Sequence, residues 1–366
     1  MIFNIQNDCI EIPKIWGKYE AFILYYGHGF SDKRVSRGGE ASRLDTKFIY
    51  EGGSYAELSH GSLDYNVKAD TRDFQGGRLN ENSVKSGQNR NTIAFKTKYE
   101  NVDIGITRFK SGTIQLDGNA ALYETNSTGC VSPYNMAQCG LAGAVPKTDV
   151  NLNTFGLIGK LSVSDEFALI IGLKRNKLED STVTTTRGTF TLTGKSNTAG
   201  MVGFAYSKPE IALRVELLMQ PSSKISAATT FAASQYAKDV ITAGGTGCST
   251  SDYTASLNTT MKTPASTTLN FQRGVAKDTL VFGSIHRVDW NSAQINADTG
   301  CSATLAKSAF WDTKTYTIGA AHKLSDSLAL TASFAAETGG SSTTASLFTV
   351  NNGYNAINLG ARYTVG

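Results

Sequence analysis

Two alternating runs joined by a tight polar turn, at 263–290, constrain the fold most. Leu269 and Phe271 fall on one side, and Asn270 and Gln272 fall on the other. This is the period of a β-strand with one apolar face. A short polar turn and a second run rich in β-forming residues follow. The stretch therefore predicts a β-hairpin.

The same unit recurs along the chain. Further alternating pairs turn at 101, 164–166, 208–210 and 325–327, and single strands are predicted at 48–67 and 354–365. The total is twelve strands. Residues 179–196 are Thr-rich and are predicted to extend the flanking strands. Long polar loops are predicted at 69–90, 111–150, 222–261, 294–312 and 339–353.

Short turns alternating with long loops favour a transmembrane barrel over a soluble β-sheet. No run of about 18 apolar residues exists that would form a membrane helix, but a membrane strand needs only about 9–11 residues with every second one apolar. Outer-membrane barrels have short periplasmic turns and long external loops. We therefore predict an all-β, antiparallel transmembrane barrel of about 12 strands. A soluble β-sheet remains the alternative.

Periodicity alone does not distinguish the inside of such a barrel from its outside. If the apolar faces meet lipid, the charged faces line a wet lumen. Trp290 ends a strand and is predicted to lie at the membrane interface. His286 is a candidate for binding a carboxylate, with a purely structural role as the alternative. The predicted lumen residues are Lys160, Lys174, Arg214, Glu216 and His286.

Several function classes are disfavoured. The net charge is only +4 and contains no basic block, which argues against nucleic-acid binding. The four histidines are scattered and no nucleophile elbow precedes a helix, so we expect no metal, no cofactor and no enzymatic activity.

Four loop cysteines, Cys130, Cys139, Cys248 and Cys301, are candidates for two disulfides in an oxidising compartment. Pairing of 130 with 139 and of 248 with 301 is favoured among the three possible connectivities. Free thiols are the alternative.

The first 37 residues do not match the pattern and lack the features of a secretory signal. We expect 1–37 to be poorly ordered or mis-started, and 38–366 to form the barrel.

Three segments carry a resemblance to a known family: SNTAGMVGFAYSKPEIALRVEL, TPASTTLNFQRGVAKDTLVFGSIHRVDW and IYEGGSYAELSHG. They resemble hairpins and the first strand of the FadL-type outer-membrane proteins. The resemblance implies a 14-stranded barrel with an N-terminal hatch and sideways release of substrate. The family's Asn-Pro-Ala hatch element is absent here, and ARYTVG carries no terminal aromatic residue. We therefore expect the last hairpin to be missing.

The resemblance further implies passive transport of long-chain fatty acids or other hydrophobic compounds across the bacterial outer membrane, by a monomer in contact with membrane lipid. A fatty acid needs an apolar groove and a cation for its carboxylate. Lys160, Lys174 and Arg214 are the candidates for that cation. The alternatives are a general diffusion porin and an outer-membrane enzyme or adhesin.

Overall fold

Nineteen antiparallel strands make up most of the described part of the chain. The computed structural model describes residues 22–25, 44–72, 78–117, 147–185, 188–234, 238, 254–294, 296–297, 306–307, 310–339 and 353–365. The strands are β1 Phe22–Tyr25, β2 Tyr55–Arg72, β3 Arg78–Tyr99, β4 Val102–Asp117, β5 Lys147–Ser162, β6 Phe167–Leu178, β7 Ser181–Thr185, β8 Gly188–Leu192, β9 Lys195–Lys208, β10 Leu213–Gln220, β11 Ser223–Ala233, β12 Thr254–Thr263, β13 Ser266–Ala276, β14 Thr279–Val288, β15 Asn296–Ala297, β16 Ala306–Lys307, β17 Thr313–Lys323, β18 Leu328–Glu337 and β19 Tyr354–Val365. No helix in these residues is long and apolar enough to cross a membrane.

Twelve of these strands form one continuous wall. Their order is β2-β3-β4-β5-β6-β9-β10-β13-β14-β17-β18-β19, and every neighbouring pair is antiparallel. These are the twelve strands that the sequence predicted. β1 pairs with the free edge of β19. Among the described strands, no ladder joins β2 to β1 or β19.

A smaller sheet rises from one end of this wall. It runs β5-β7-β8-β11-β12-β15-β16. The strands β7 and β8 agree with the predicted extension at 179–196. The loop predicted over 222–261 is wrong at both ends, because β11 and β12 occupy them. Their Thr, Ser and Ala residues form a strand ladder outside the apolar region, where polar composition does not signal a loop.

The loop predicted at 69–90 is also wrong. β2 continues to Arg72 and β3 begins at Arg78, and the two pair from Tyr55 opposite Lys96 to Arg72 opposite Arg78. A hairpin that extends into water can be polar on both faces, so its polarity does not mark the end of a strand. The predicted start of the first strand at Phe48 is wrong as well, because Lys47–Tyr50 form a 3-10 turn and β2 begins at Tyr55.

Side chains alternate between the two faces of the wall as the sequence predicted. Leu173 is 52% exposed while the next residue, Lys174, is 1% exposed. The outward face carries a belt of large exposed apolar residues: Ile93, Phe95, Ile104, Ile106, Phe155, Leu157, Phe167, Ile171, Leu173, Val202, Phe204, Val215, Leu217, Met219, Phe271, Ile285, Tyr316, Ile318, Phe334, Ile357 and Leu359. A surface this apolar is favourable in lipid and unfavourable in water.

Trp290 does not lie at the membrane interface as predicted. Its side chain is 2% exposed and its ring lies 5.5 Å from that of Phe310, in an apolar cluster. His286 and Val288 of β14 are also buried, and Trp290 shares their two-residue phase. The alternation therefore places Trp290 on the inner side.

Candidate functional site inside the strand wall

Residues 44–51, which we call the interior segment, pack against the inner face of the wall. Leu44, Phe48 and Ile49 are buried in a cluster with residues of β3–β6, β9 and β10. Inward-facing glycines make room for them. A Cβ on Gly105 would lie 2.6 Å from Phe48 Cε2, which is closer than van der Waals contact.

Glu216 of β10 holds the polar side of the interior segment. Its Oε2 accepts a hydrogen bond from the Tyr50 hydroxyl at 2.5 Å, and its Oε1 accepts bonds from Thr46 Oγ1 at 2.9 Å and from Asn270 Nδ2 at 2.7 Å. Glu216 itself is buried. A buried carboxylate needs such donors, since an unpaired one would be costly to desolvate.

The aromatic ring of Tyr50 lies between two cations. Lys160 Nζ is 5.0 Å from the ring centroid and Arg214 Cζ is 4.0 Å from it, both within cation–π range. Arg214 also donates to Gln272 Oε1 at 2.9 Å. Burial and the neighbouring Glu216 raise the pKa of the Tyr50 hydroxyl, so it stays protonated and remains a donor.

A second carboxylate, Asp103 of β4, balances two lysines. Its oxygens lie 2.7 Å from Lys96 Nζ and 2.8 Å from Lys160 Nζ. Lys96 also donates to the carbonyl oxygen of Glu51. The backbone at the end of the interior segment is thus held by a charged side chain of the wall.

The structure brings together three of the five predicted lumen residues. Lys160, Arg214 and Glu216 surround Tyr50. Lys174 also faces inward but pairs opposite Gly156, four residues from Lys160 along β5. His286 is buried on β14, where its Nδ1 lies 2.8 Å from Thr268 Oγ1.

Sequence reasoning missed the partners of these residues. Thr46 lies before the predicted first strand and Tyr50 was predicted to lie within it, whereas both precede β2 in the structure. Asp103 was detectable, because it alternates with the apolar residues of β4 and lies in register with Lys160. The disulfide candidates Cys130, Cys139, Cys248 and Cys301 lie outside the described residues.

Solved structures resemble this arrangement of strands along almost the whole chain. A Pseudomonas aeruginosa FadL homologue superposes with a TM-score of 0.66 at 11% identity, over 94% of this chain and 87% of that one. The chain has the fold of the FadL-type outer-membrane barrels.

Two further structures share this FadL-type fold. The Pseudomonas putida toluene transporter TodX matches with a TM-score of 0.52 at 10% identity, over 93% of this chain and 94% of that one. The Ralstonia pickettii toluene transporter TbuX matches with a TM-score of 0.51 at 11% identity, over 90% of this chain and 92% of that one. No family model and no curated protein matches the sequence.

Proposed function

We propose that this protein is a passive conduit for hydrophobic compounds across the bacterial outer membrane. The observation that carries the proposal is the interior segment, whose Leu44, Phe48 and Ile49 are packed against the inner face and fill space beside it. A general porin needs an open aqueous path there, whereas a conduit for apolar molecules needs no such path. The toluene transporters TodX and TbuX, which share the fold, support this choice.

Long-chain fatty acids are the finer assignment within this class, with monoaromatic compounds as the second candidate. Lys160 and Arg214 are the proposed head-group cations, because both lie against Tyr50 and become available to a carboxylate when that ring withdraws. Lys174 stays the third candidate, although its 1% exposure means that neighbouring side chains must move first. Transport by this route is downhill.

The proposal is tested by uptake of labelled oleate, toluene and a small sugar in a host that lacks its own transporter. We expect the protein to accelerate oleate and toluene uptake and to leave sugar uptake unchanged. Accelerated sugar uptake with unchanged oleate and toluene would instead establish a diffusion porin.

The head-group assignment has its own test. The double substitution Lys160→Met and Arg214→Met should reduce oleate uptake and spare toluene uptake, because only oleate carries a carboxylate. Lys277→Met, in the exposed turn between β13 and β14, is the matched control. If the double variant loses oleate uptake and toluene uptake equally, Lys160 and Arg214 do not bind the carboxylate head group.

A further inference from the structure

Four cations on the outward face of β4 and β6 form a compact patch, which we call the basic quartet: Arg108, Lys110, Arg175 and Lys177. Arg108 and Arg175 both pair opposite Phe155 of β5, and Lys110 and Lys177 both pair opposite Asn153. The geometry points to a binding site for the phosphate group of a membrane lipid. This proposal rests on the outward face meeting lipid and not on which compound the barrel transports.

The register fixes how close the four side chains begin. β4 and β6 are two strands apart, which separates their backbones by about 10 Å, and residues two apart along one strand are separated by about 7 Å. Four like charges rooted so closely repel one another unless an anion lies between them. Two of them are arginines, whose planar guanidinium groups match phosphate in a bidentate manner.

The quartet lies at the edge of the apolar belt. The next outward residues towards the short turns are Ile106, Leu157 and Leu173, which are all exposed. Arg108 and Arg175 therefore flank Phe155, the last belt residue of β5, and Lys110 and Lys177 stand one residue pair beyond it, on the side where lipid headgroups begin. The opposite end of the same strands reaches Val163, Asp165 and Glu166, and offers no comparable patch among its described residues.

Little within the described part of the chain neutralises the quartet, and no salt bridge there involves any of its members. Glu179 accepts a hydrogen bond from Asn153, which lies between Lys110 and Lys177, at 2.5 Å. Asp149 lies four residues beyond Asn153 on β5 and accepts one from Asn151 at 2.8 Å. The four positive charges consequently exceed the negative charge at their border.

A lipid phosphate suits the patch better than a free anion because the apolar belt continues directly into it. A phosphorylated lipid places its chains on Leu157 and Leu173 while its phosphate reaches Arg108 and Arg175. Cations close to an anionic lipid surface are attracted to it. The lipid belongs to the membrane leaflet on the side of the long connections, because the quartet lies at that end of the strands.

The test uses the full chain in neutral detergent, titrated with lipid A, with dephosphorylated lipid A and with inorganic phosphate, and read out by native mass spectrometry. One variant changes Arg108, Lys110, Arg175 and Lys177 to Gln. A control variant changes four cations near the short turns to Gln: Lys98, Lys208, Arg273 and Lys277. Heat-modifiable migration in gels verifies that each variant folds.

We expect the quartet variant to bind lipid A at least about tenfold more weakly than the unaltered protein, which corresponds to about 1.4 kcal/mol. The control variant should bind lipid A as tightly as the unaltered protein does. The quartet variant and the unaltered protein should bind dephosphorylated lipid A equally well. If the quartet variant fails to fold, Arg175→Gln and Lys177→Gln alone should each give a partial loss.

Three outcomes would overturn the proposal. Unchanged lipid A affinity in the quartet variant would show that these cations do not bind it. An equal loss of lipid A affinity in the control variant would show that overall charge, and not this patch, determines binding. Inorganic phosphate that binds as tightly as lipid A would assign the patch to a soluble anion. None of these outcomes bears on uptake of oleate or toluene.

Discussion

The hydroxyl of Tyr50 donates to the buried carboxylate of Glu216 at 2.5 Å, across 166 residues of sequence. This bond links the segment before the first strand to the middle of the wall. Because Glu216 also accepts from Thr46 and Asn270, a single carboxylate fixes two points of the interior segment and one of β13. Glu216 is therefore the residue on which the position of the interior segment depends most.

Glu216→Ala should release the interior segment. The substitution removes three hydrogen bonds to a charged group, each contributing about 1.5–3 kcal/mol, and 1.4 kcal/mol is a tenfold change in an equilibrium. We expect the undocked fraction to rise by at least about tenfold, observed as increased ion current in planar bilayers. Tyr50→Phe removes one bond and should have a smaller effect. Glu210→Ala, in an exposed turn, should change nothing; unchanged current in Glu216→Ala would show that the segment is held elsewhere.

Gly105→Val should disturb the same segment by steric conflict. Its side chain would enter the space of Phe48 and Ile49, and overpacking of this kind costs about 1–3 kcal/mol. Increased ion current and easier proteolysis before β2 are the expected results. Gly159→Val is a close control, since its Cβ would have no atom nearer than Ile171 O at 3.9 Å. Equal behaviour of the two variants would contradict the packing described above.

Asp103→Asn should destabilise the folded wall strongly. The change leaves the buried Lys96 and the largely buried Lys160 without their carboxylate, and breaking a buried pair costs about 3–5 kcal/mol. The urea midpoint of the heat-modifiable gel band measures this loss. Asp326→Asn breaks a fully exposed pair with Lys323 and should have little effect. Comparable midpoints for the two variants would show that Asp103 is more solvated than its burial indicates.

Leu157→Lys should impair membrane assembly. Leu157 lies within the outward apolar belt, where lysine costs up to about 2–4 kcal/mol at the depth of the bilayer centre. Refolding yield into lipid vesicles should fall. Val163→Lys, in the turn after β5, should refold normally because a turn outside the hydrocarbon meets water. Normal refolding of Leu157→Lys would mean that this face does not contact lipid.

The alternation of the strands allowed the architecture to be predicted from sequence. Along β6, for example, Leu173 and Lys174 go to opposite faces because side-chain direction reverses at each residue. The twelve wall strands and their five short turns follow from this period and from local turn residues. What failed was the use of polarity to end strands, since residues 69–72 and 78–90 are polar and yet lie in β2 and β3.

The candidate site was only partly predictable. Lys160, Arg214 and Glu216 were identified as inward-facing, because each lies on a strand with a clear period. Their assembly around Tyr50 was not predictable, since it depends on where a non-strand segment docks across more than 100 residues of sequence. The boundary at residue 37, the poor order expected of 1–37 and the substrate roles of the five lumen residues stay predictions.

One described contact joins the two ends of the strand series. Arg362 of β19 lies 3.4 Å from Glu51, 311 residues earlier in the chain. In the folded protein this pair brings the segment before β2 next to the last strand of the wall. Energy transfer between fluorescent dyes attached at these two positions would therefore show when, during insertion, the two ends of the wall come together.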